Sequence, residues 1–139
     1  MFQSLAELAN MVDLYNTEKH YGLLEEWWRG HGQTPVPEPF LPKLGYISYR
    51  DDVPVCAAWV AMSNSHGVCY MEFFVSNPDY EGHKLAATRD LFTVVKTTLK
   101  ELGYAIMFAA VDDEHKAMAA ERFGFTRLSN NMIHLVAKT

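Results

Sequence analysis

Between Gly45 and Val75 the apolar residues of this chain switch to a period of two, and no other stretch constrains the fold as much. GYISYR, VPVCAAWVAM and VCYMEFFV read as three successive strands, joined by Asp51-Asp52 and by the five-residue turn SNSHG. Connections this short make neighbouring strands antiparallel, so the three form a meander. The second and third are apolar at nearly every position, which requires cover on both faces of the sheet.

The flanking segments supply that cover. After the meander, Leu85, Thr88, Leu91, Phe92, Val95, Leu99 and Leu102 form one apolar helical stripe, with Lys84, Arg89, Asp90, Lys96, Lys100 and Glu101 elsewhere and Gly103 as the stop. YAIMFAAV follows as a fully buried strand. A right-handed crossover through the helix makes it a parallel neighbour of the third strand. HKAMAAERF then reads as a short helix ended by Gly124, and roughly Thr126 to Val136 as a terminal strand. Ahead of the meander, Leu5, Leu8, Ala9, Val12 and Tyr15 (or Met11) predict a first helix, opened by a capping box of Ser4 and Glu7. A second helix around Tyr21 to Arg29 carries Leu23, Leu24, Trp27 and Trp28 and stops at Gly30 and Gly32. Pro35, Pro37, Pro39 and Pro42 keep the next segment irregular, as one wall of a cleft.

With 139 residues and 49% apolar side chains, the chain makes one mixed α/β (α+β) domain, residues 1–139, without internal repeats. A net charge of −5, a pI near 5.6 and scattered Lys and Arg argue against nucleic acid as a partner. No apolar run reaches the length of a membrane span, and the first twenty residues lack the pattern of a signal peptide. Cys56 and Cys69 lie in apolar strands and are expected as buried thiols in a reducing, cytoplasmic setting. His20, His31, His66, His83, His115 and His134 have no metal-ligand spacing, so no metal is expected. Nucleophile-elbow, Walker and Rossmann signatures are absent.

The element order, the segment FFVSNPDYEGHKLAATRDLF and the ending ERFGF together resemble the GNAT superfamily of N-acetyltransferases, over roughly Gly45 to Val136. At the strand-to-helix junction Val75, Pro78, Tyr80, Gly82 and Ala86 match the family pattern. One extra residue separates Val75 from Pro78, Glu81 replaces an Arg or Gln, and Lys84 replaces a second Gly. The resemblance implies a central, mostly antiparallel sheet with one splayed parallel strand pair, flanked by helices. It also implies acetyl-CoA as cosubstrate and an amine of a small molecule or protein as acceptor. In that picture residues 45–139 hold the cofactor and residues 1–44 form the acceptor side. The backbone of Phe73, Phe74 and Val75 would meet the pantetheine arm, and Gly82, His83, Lys84, Leu85 and Ala86 the pyrophosphate. Small residues there let the backbone come close, and a helix N-terminus carries about half a positive charge. Asp113 falls where an Asn often contacts the cofactor.

Glu72, a lone carboxylate in an uncharged strand, is the candidate general base. Strand alternation predicts an apolar setting shared with Tyr70 and Phe74 that would raise its pKa; solvent exposure, or pairing with Arg50, is the structural alternative. Ala120 stands where family members often have a proton-donating Tyr, leaving Tyr70, His115, His134 or water for that role. The aromatic group Trp27, Trp28, Phe40, Tyr46 and Tyr49 suits either core or pocket, with Trp28 and Phe40 the candidates to line the acceptor site. Domains of this type often pair, so the resemblance allows a homodimer, and the sequence leaves the oligomeric state open. The chain is also similar to small proteins of bacteriophage origin, which implies an alternative: a member without catalysis, serving in binding or assembly.

Overall fold

The computed structural model describes residues 11–129, 133 and 135–139. Five strands form one sheet in sequential order: β1 (Val12–Leu14), β2 (Leu44–Arg50), β3 (Val53–Met62), β4 (Val68–Ser76) and β5 (Ile106–Ala109). All neighbours are antiparallel except β4 and β5. Among the described residues, helices α1 (Thr17–Gly30), α2 (Lys84–Glu101) and α3 (Glu114–Arg122) accompany them, with a 3-10 turn at Glu38–Phe40. The expected meander and parallel crossover are both present. Asp51 and Asp52 close the β2–β3 hairpin with φ of 50° and 63°, the left-handed pair that a two-residue hairpin turn requires.

Both faces of β3 are buried, as its unbroken apolar run demanded. Cys56, Ala58 and Val60 join Leu91, Val95 and Leu99 of α2 in one core layer. Ala57 and Trp59 join Leu24, Trp27 and Trp28 of α1 in the other. Asn16 caps α1, its side chain accepting from the Lys19 N–H at 3.0 Å. A Schellman turn ends α2: the Tyr104 N–H donates to the Leu99 carbonyl across Gly103, whose φ is 92°. Among the described residues no helix is long and apolar enough to cross a membrane.

Four expectations need correction. Val12 lies in strand β1 rather than in a first helix, with Tyr15 just beyond it, because the free edge of β2 takes Val12–Leu14 as a partner and that pairing outweighs a loose helical spacing. Ser4, Leu5, Glu7, Leu8 and Ala9 lie outside the described residues. The helix expected from Tyr21 begins four residues earlier, at the Asn16 cap. β5 is mostly exposed rather than fully buried: among the described residues its outer edge has no partner, and Met107 alone of its four residues packs on the core that includes α2. Among the described residues from Thr126 onward none is in a strand. Arg127 instead turns that segment back onto α3, with a bidentate fork on Glu114 at 2.9 and 3.0 Å and a further bond to Glu121. Asn130, Asn131, Met132 and His134 lie outside the described residues.

Of the buried polar side chains, Asp90 and His20 each meet a polar partner on another element. Asp90 of α2 is 1% exposed and pairs with Arg50 at the end of β2. His20 of α1 accepts the Asn16 N–H at Nδ1 (2.9 Å), so its Nε2 carries the proton and faces the Tyr49 hydroxyl at 3.2 Å. Burial, then the adjacent Lys19, holds the His20 pKa below its ordinary value of 6.5, against a smaller opposing pull from Asp13. The unfolded chain therefore binds a proton that the folded chain refuses. Stability is complete above pH 6.5 and declines as pH falls from there through the depressed folded value. The urea midpoint is accordingly expected to drop between pH 7.5 and pH 5, and His20→Gln to flatten that decline. An equal decline in the variant would assign it to other groups.

Candidate active site

β4 and β5 are paired from Val68↔Ile106 to Met71↔Ala109 and then part. Beyond Met71 the β5-facing backbone groups of β4 have no strand partner among the described residues. On the β3 side the register jumps from Ala57↔Val75 to Trp59↔Glu72, so β4 carries a bulge. Phe73 sits at its centre with φ 57°, an uncommon left-handed conformation for a bulky residue. The bulge resets the alternation of side chains. Cys69 and Met71 face α2, while Tyr70 and Glu72 face the α1 side, Glu72 opposite Trp59. Phe74 then returns to the α2 side and packs on Phe92 with ring centroids 5.9 Å apart.

The loop from β4 to α2 is anchored at both ends. Asn77 donates to the carbonyls of Val55 (backbone, 2.7 Å) and Pro54 (side chain, 3.0 Å). His31, just after α1, bonds the Ser76 carbonyl through Nε2 at 2.8 Å. Pro78 fills the space above Gly30, where a Cβ would come within 2.6 Å of its ring. The Tyr80 hydroxyl likewise covers Gly82. α2 then starts at Lys84 without a side-chain cap and without an acidic residue in its first turn. Its N-terminal N–H groups and Lys84 bring positive charge to the helix start, which suits an anion, while the exposed Glu81 in the preceding loop opposes it.

The opposite wall comes from β5 and the segment around α3. Phe92 meets Phe123 and Phe125 at 5.4 and 5.7 Å, and Lys96 both donates to the Phe123 carbonyl and lies over the Phe125 ring at 5.3 Å. Four phenylalanines thus tie β4, α2 and the chain after α3 together along the α2 side of the parting strands. At the base of the split Tyr70 stacks on Phe108 at 5.7 Å.

No protein-family model matches the chain, and no curated protein is similar to it in sequence. Solved structures do match in fold. An aminoglycoside acetyltransferase from an uncultured soil metagenomic sample, in complex with sisomicin, superposes with a TM-score of 0.67 at 12% identity, over 95% of this chain and 99% of the other. AAC(6')-Iy, in complex with the bisubstrate analogue CoA-S-monomethyl-acetylneamine, gives 0.63 at 15% identity over 91% and 97%. The GNAT-family acetyltransferase SP0256 of Streptococcus pneumoniae gives 0.59 at 12% over 92% and 100%. The chain has the GNAT acetyltransferase fold.

Within the GNAT fold the residues singled out in the sequence occupy distinct places. Phe73, Phe74 and Val75 line the parting strands, and Gly82, His83, Lys84, Leu85 and Ala86 form the loop and first turn of α2. Glu72 is the first residue past the last β4–β5 pair. It is exposed, without an ion pair among the described residues, so the apolar enclosure expected around it is not formed, and the bulge removes Phe74 from its face. Arg50, its expected alternative partner, is held by Asp90. Asp113 caps α3, accepting the Lys116 N–H at 2.8 Å. Trp28 is buried, stacked on Trp59 at 6.0 Å, whereas Phe40 is exposed on the 3-10 turn, so the two are not brought together on one surface. His115 is exposed on α3, and His134 lies outside the described residues.

Neither cysteine offers a nucleophile. Burial pushes the Cys56 thiol up to about 11, against smaller opposing hydrogen bonds from Ser48 and Thr88, and raises Cys69 as well. No group of His, Cys, Asp and Glu among the described residues has a metal-binding arrangement. Sequence reasoning missed the aromatic wall of Phe92, Phe123 and Phe125 and the anchoring of the loop by His31 and Gly30. The ERFGF ending held the only local signal for the former; the latter joins segments some 45 residues apart and leaves no local mark.

Proposed function

We propose that this protein is an acetyl-CoA-dependent N-acetyltransferase that acetylates an amine of a small molecule or a protein. The observation that carries the reading is the parting of β4 and β5 immediately after Met71 and Ala109, with the left-handed bulge at Phe73 beside it. That geometry leaves the β5-side edge of β4 beyond Met71 without a strand partner among the described residues, which suits an extended amide-bearing arm meeting backbone around Phe73, Phe74 and Val75. The uncapped α2 start, with Lys84, suits the pyrophosphate at the far end of such an arm. Acetyl-CoA supplies a thioester there. Glu72 lies beside the point of parting, on the face opposite the aromatic wall, and takes the proton of the attacking amine. A backbone N–H of the bulge meets the oxygen that gains charge as the carbonyl is attacked. Tyr70, on the same face, or water entering the exposed cleft, returns a proton to the departing thiolate.

Thermal unfolding with and without acetyl-CoA tests the reading. Ligand at 100 times its dissociation constant is expected to add about 2.7 kcal/mol of stability. No shift at millimolar acetyl-CoA would overturn it. Transfer is then read as thiol release with a panel of amines, sisomicin included because a neighbour of this fold was solved with it. A second reading rests on Ala120, which puts a methyl group where a proton donor often stands. It makes the chain a catalytically degenerate GNAT-like protein, phage-encoded, that binds or assembles without transferring. Tight acetyl-CoA binding with no thiol release across the panel would favour it.

A further inference from the structure

The aromatic wall has a consequence for which acyl group fits, and it rests on the acyl-CoA reading above. A thioester carbonyl held at the Phe73 bulge has its sulfur directed back toward the α2 N-terminus. Its acyl carbons must extend in some other direction, and three are available. Toward Met71 the strands are paired and closed. Toward Glu72 the space must stay free for the incoming amine. The remaining direction is the α2 side of the parting strands, and Phe74 stands there. It is 43% exposed, so one flank of the ring faces the open cleft while the other rests on Phe92. Phe92 cannot yield easily, because it is 8% exposed and braced by Phe123 and Phe125, which Lys96 fastens to α2.

We infer that Phe74 is the specificity-determining residue that limits the acyl group to acetyl. Its place depends on the left-handed Phe73. With ordinary alternation residue 74 would share the face of Glu72, and Phe73 would stand on the α2 side in its place. A longer acyl chain has to displace a ring that is backed by three others. Truncation at Phe74 opens a hydrophobic recess bounded by Phe92, and an acyl chain that enters it gains about fourfold in affinity per methylene buried.

Binding of acetyl-, butanoyl- and hexanoyl-CoA, measured by calorimetry on the full chain and on Phe74→Ala, tests this. The unaltered protein is expected to bind acetyl-CoA at least tenfold more tightly than hexanoyl-CoA, and Phe74→Ala to reverse the order. Phe74→Leu, which keeps more of the packing on Phe92, is expected to shift the preference part of the way and provides the comparison should the alanine variant fail to fold. Acetyl-CoA binding with the same chain-length preference in the unaltered protein and in both variants would overturn the inference and leave the acyl-CoA reading standing. Binding of no acyl-CoA by any of the three would overturn both.

Discussion

Glu72→Gln is expected to lower kcat for amine acetylation by about 10²- to 10⁴-fold, the usual contribution of a positioned general base. The substitution keeps the size and polarity of the side chain and removes only its ability to take a proton. Glu72 is exposed, makes no ion pair among the described residues and lies opposite Trp59, one residue past the last β4–β5 pair. Its amide is therefore expected to change folding stability by no more than about 0.5 kcal/mol. Acetyl-CoA affinity is likewise expected to stay within about twofold, since the cofactor meets backbone at the bulge and the start of α2. The three measurements separate the roles. Thiol release at an unchanged rate removes Glu72 from the mechanism, while a weaker acetyl-CoA affinity makes it a cofactor contact rather than a base.

The largest expected effect on stability belongs to Asp90. Its carboxylate is buried on α2 against the Arg50 guanidinium, and Arg50 is itself mostly covered, reaching the Met11 sulfur at 3.6 Å with its other arm. Asp90→Leu leaves that largely covered guanidinium without its carboxylate, and the loss is expected to be about 3–5 kcal/mol. For a domain whose whole stability is of order 5–15 kcal/mol this is a large fraction. Arg50→Met together with Asp90→Leu removes both charges, and most of the loss is expected to be recovered. Urea unfolding of the single and double variants provides the check. A double variant as unstable as Asp90→Leu would show that the pair is held for its geometry and not for charge balance.

What the sequence revealed and what it concealed divide along physical lines. The meander was legible because β3 is apolar throughout and β4 nearly so. β3 is covered on both faces as expected, whereas Tyr70, Glu72, Phe73 and Phe74 leave β4 exposed where cover on both faces was expected. The α2 stripe and its Gly103 stop were equally plain. β1 was hidden because three residues hold too little pattern to overrule helical spacing, and only the free edge of β2 decides their state. The expected terminal strand came from its apolar residues, yet Leu128, Ile133, Leu135 and Val136 are exposed and Arg127 binds the start of that segment to α3. At the site, the loop between β4 and α2 was readable from Gly82 and the helix start. The face of Phe74 was not. It depends on a left-handed Phe73, and a phenylalanine pair gives no local sign of such a turn, unlike a glycine.

The parting of β4 from β5 also bears on the order in which this molecule is held together. β2 to β4 are joined by hairpins and β1 reaches β2 across α1, while β5 joins the sheet only after the whole of α2 has been traversed. It does so by a parallel seam of four residue pairs. Parallel pairing is slightly weaker per residue, and its loop is longer to close than those of the hairpins. The cleft therefore opens along a weakly held join of the sheet. An acyl-CoA lying in it would touch β4 on one side and the β5–α3 limb on the other, acting as a removable cross-link between two parts of unequal firmness. Occupancy and rigidity are then coupled in this fold, and the limb carrying β5 and α3 is the part of the molecule in which the presence of ligand would be felt most.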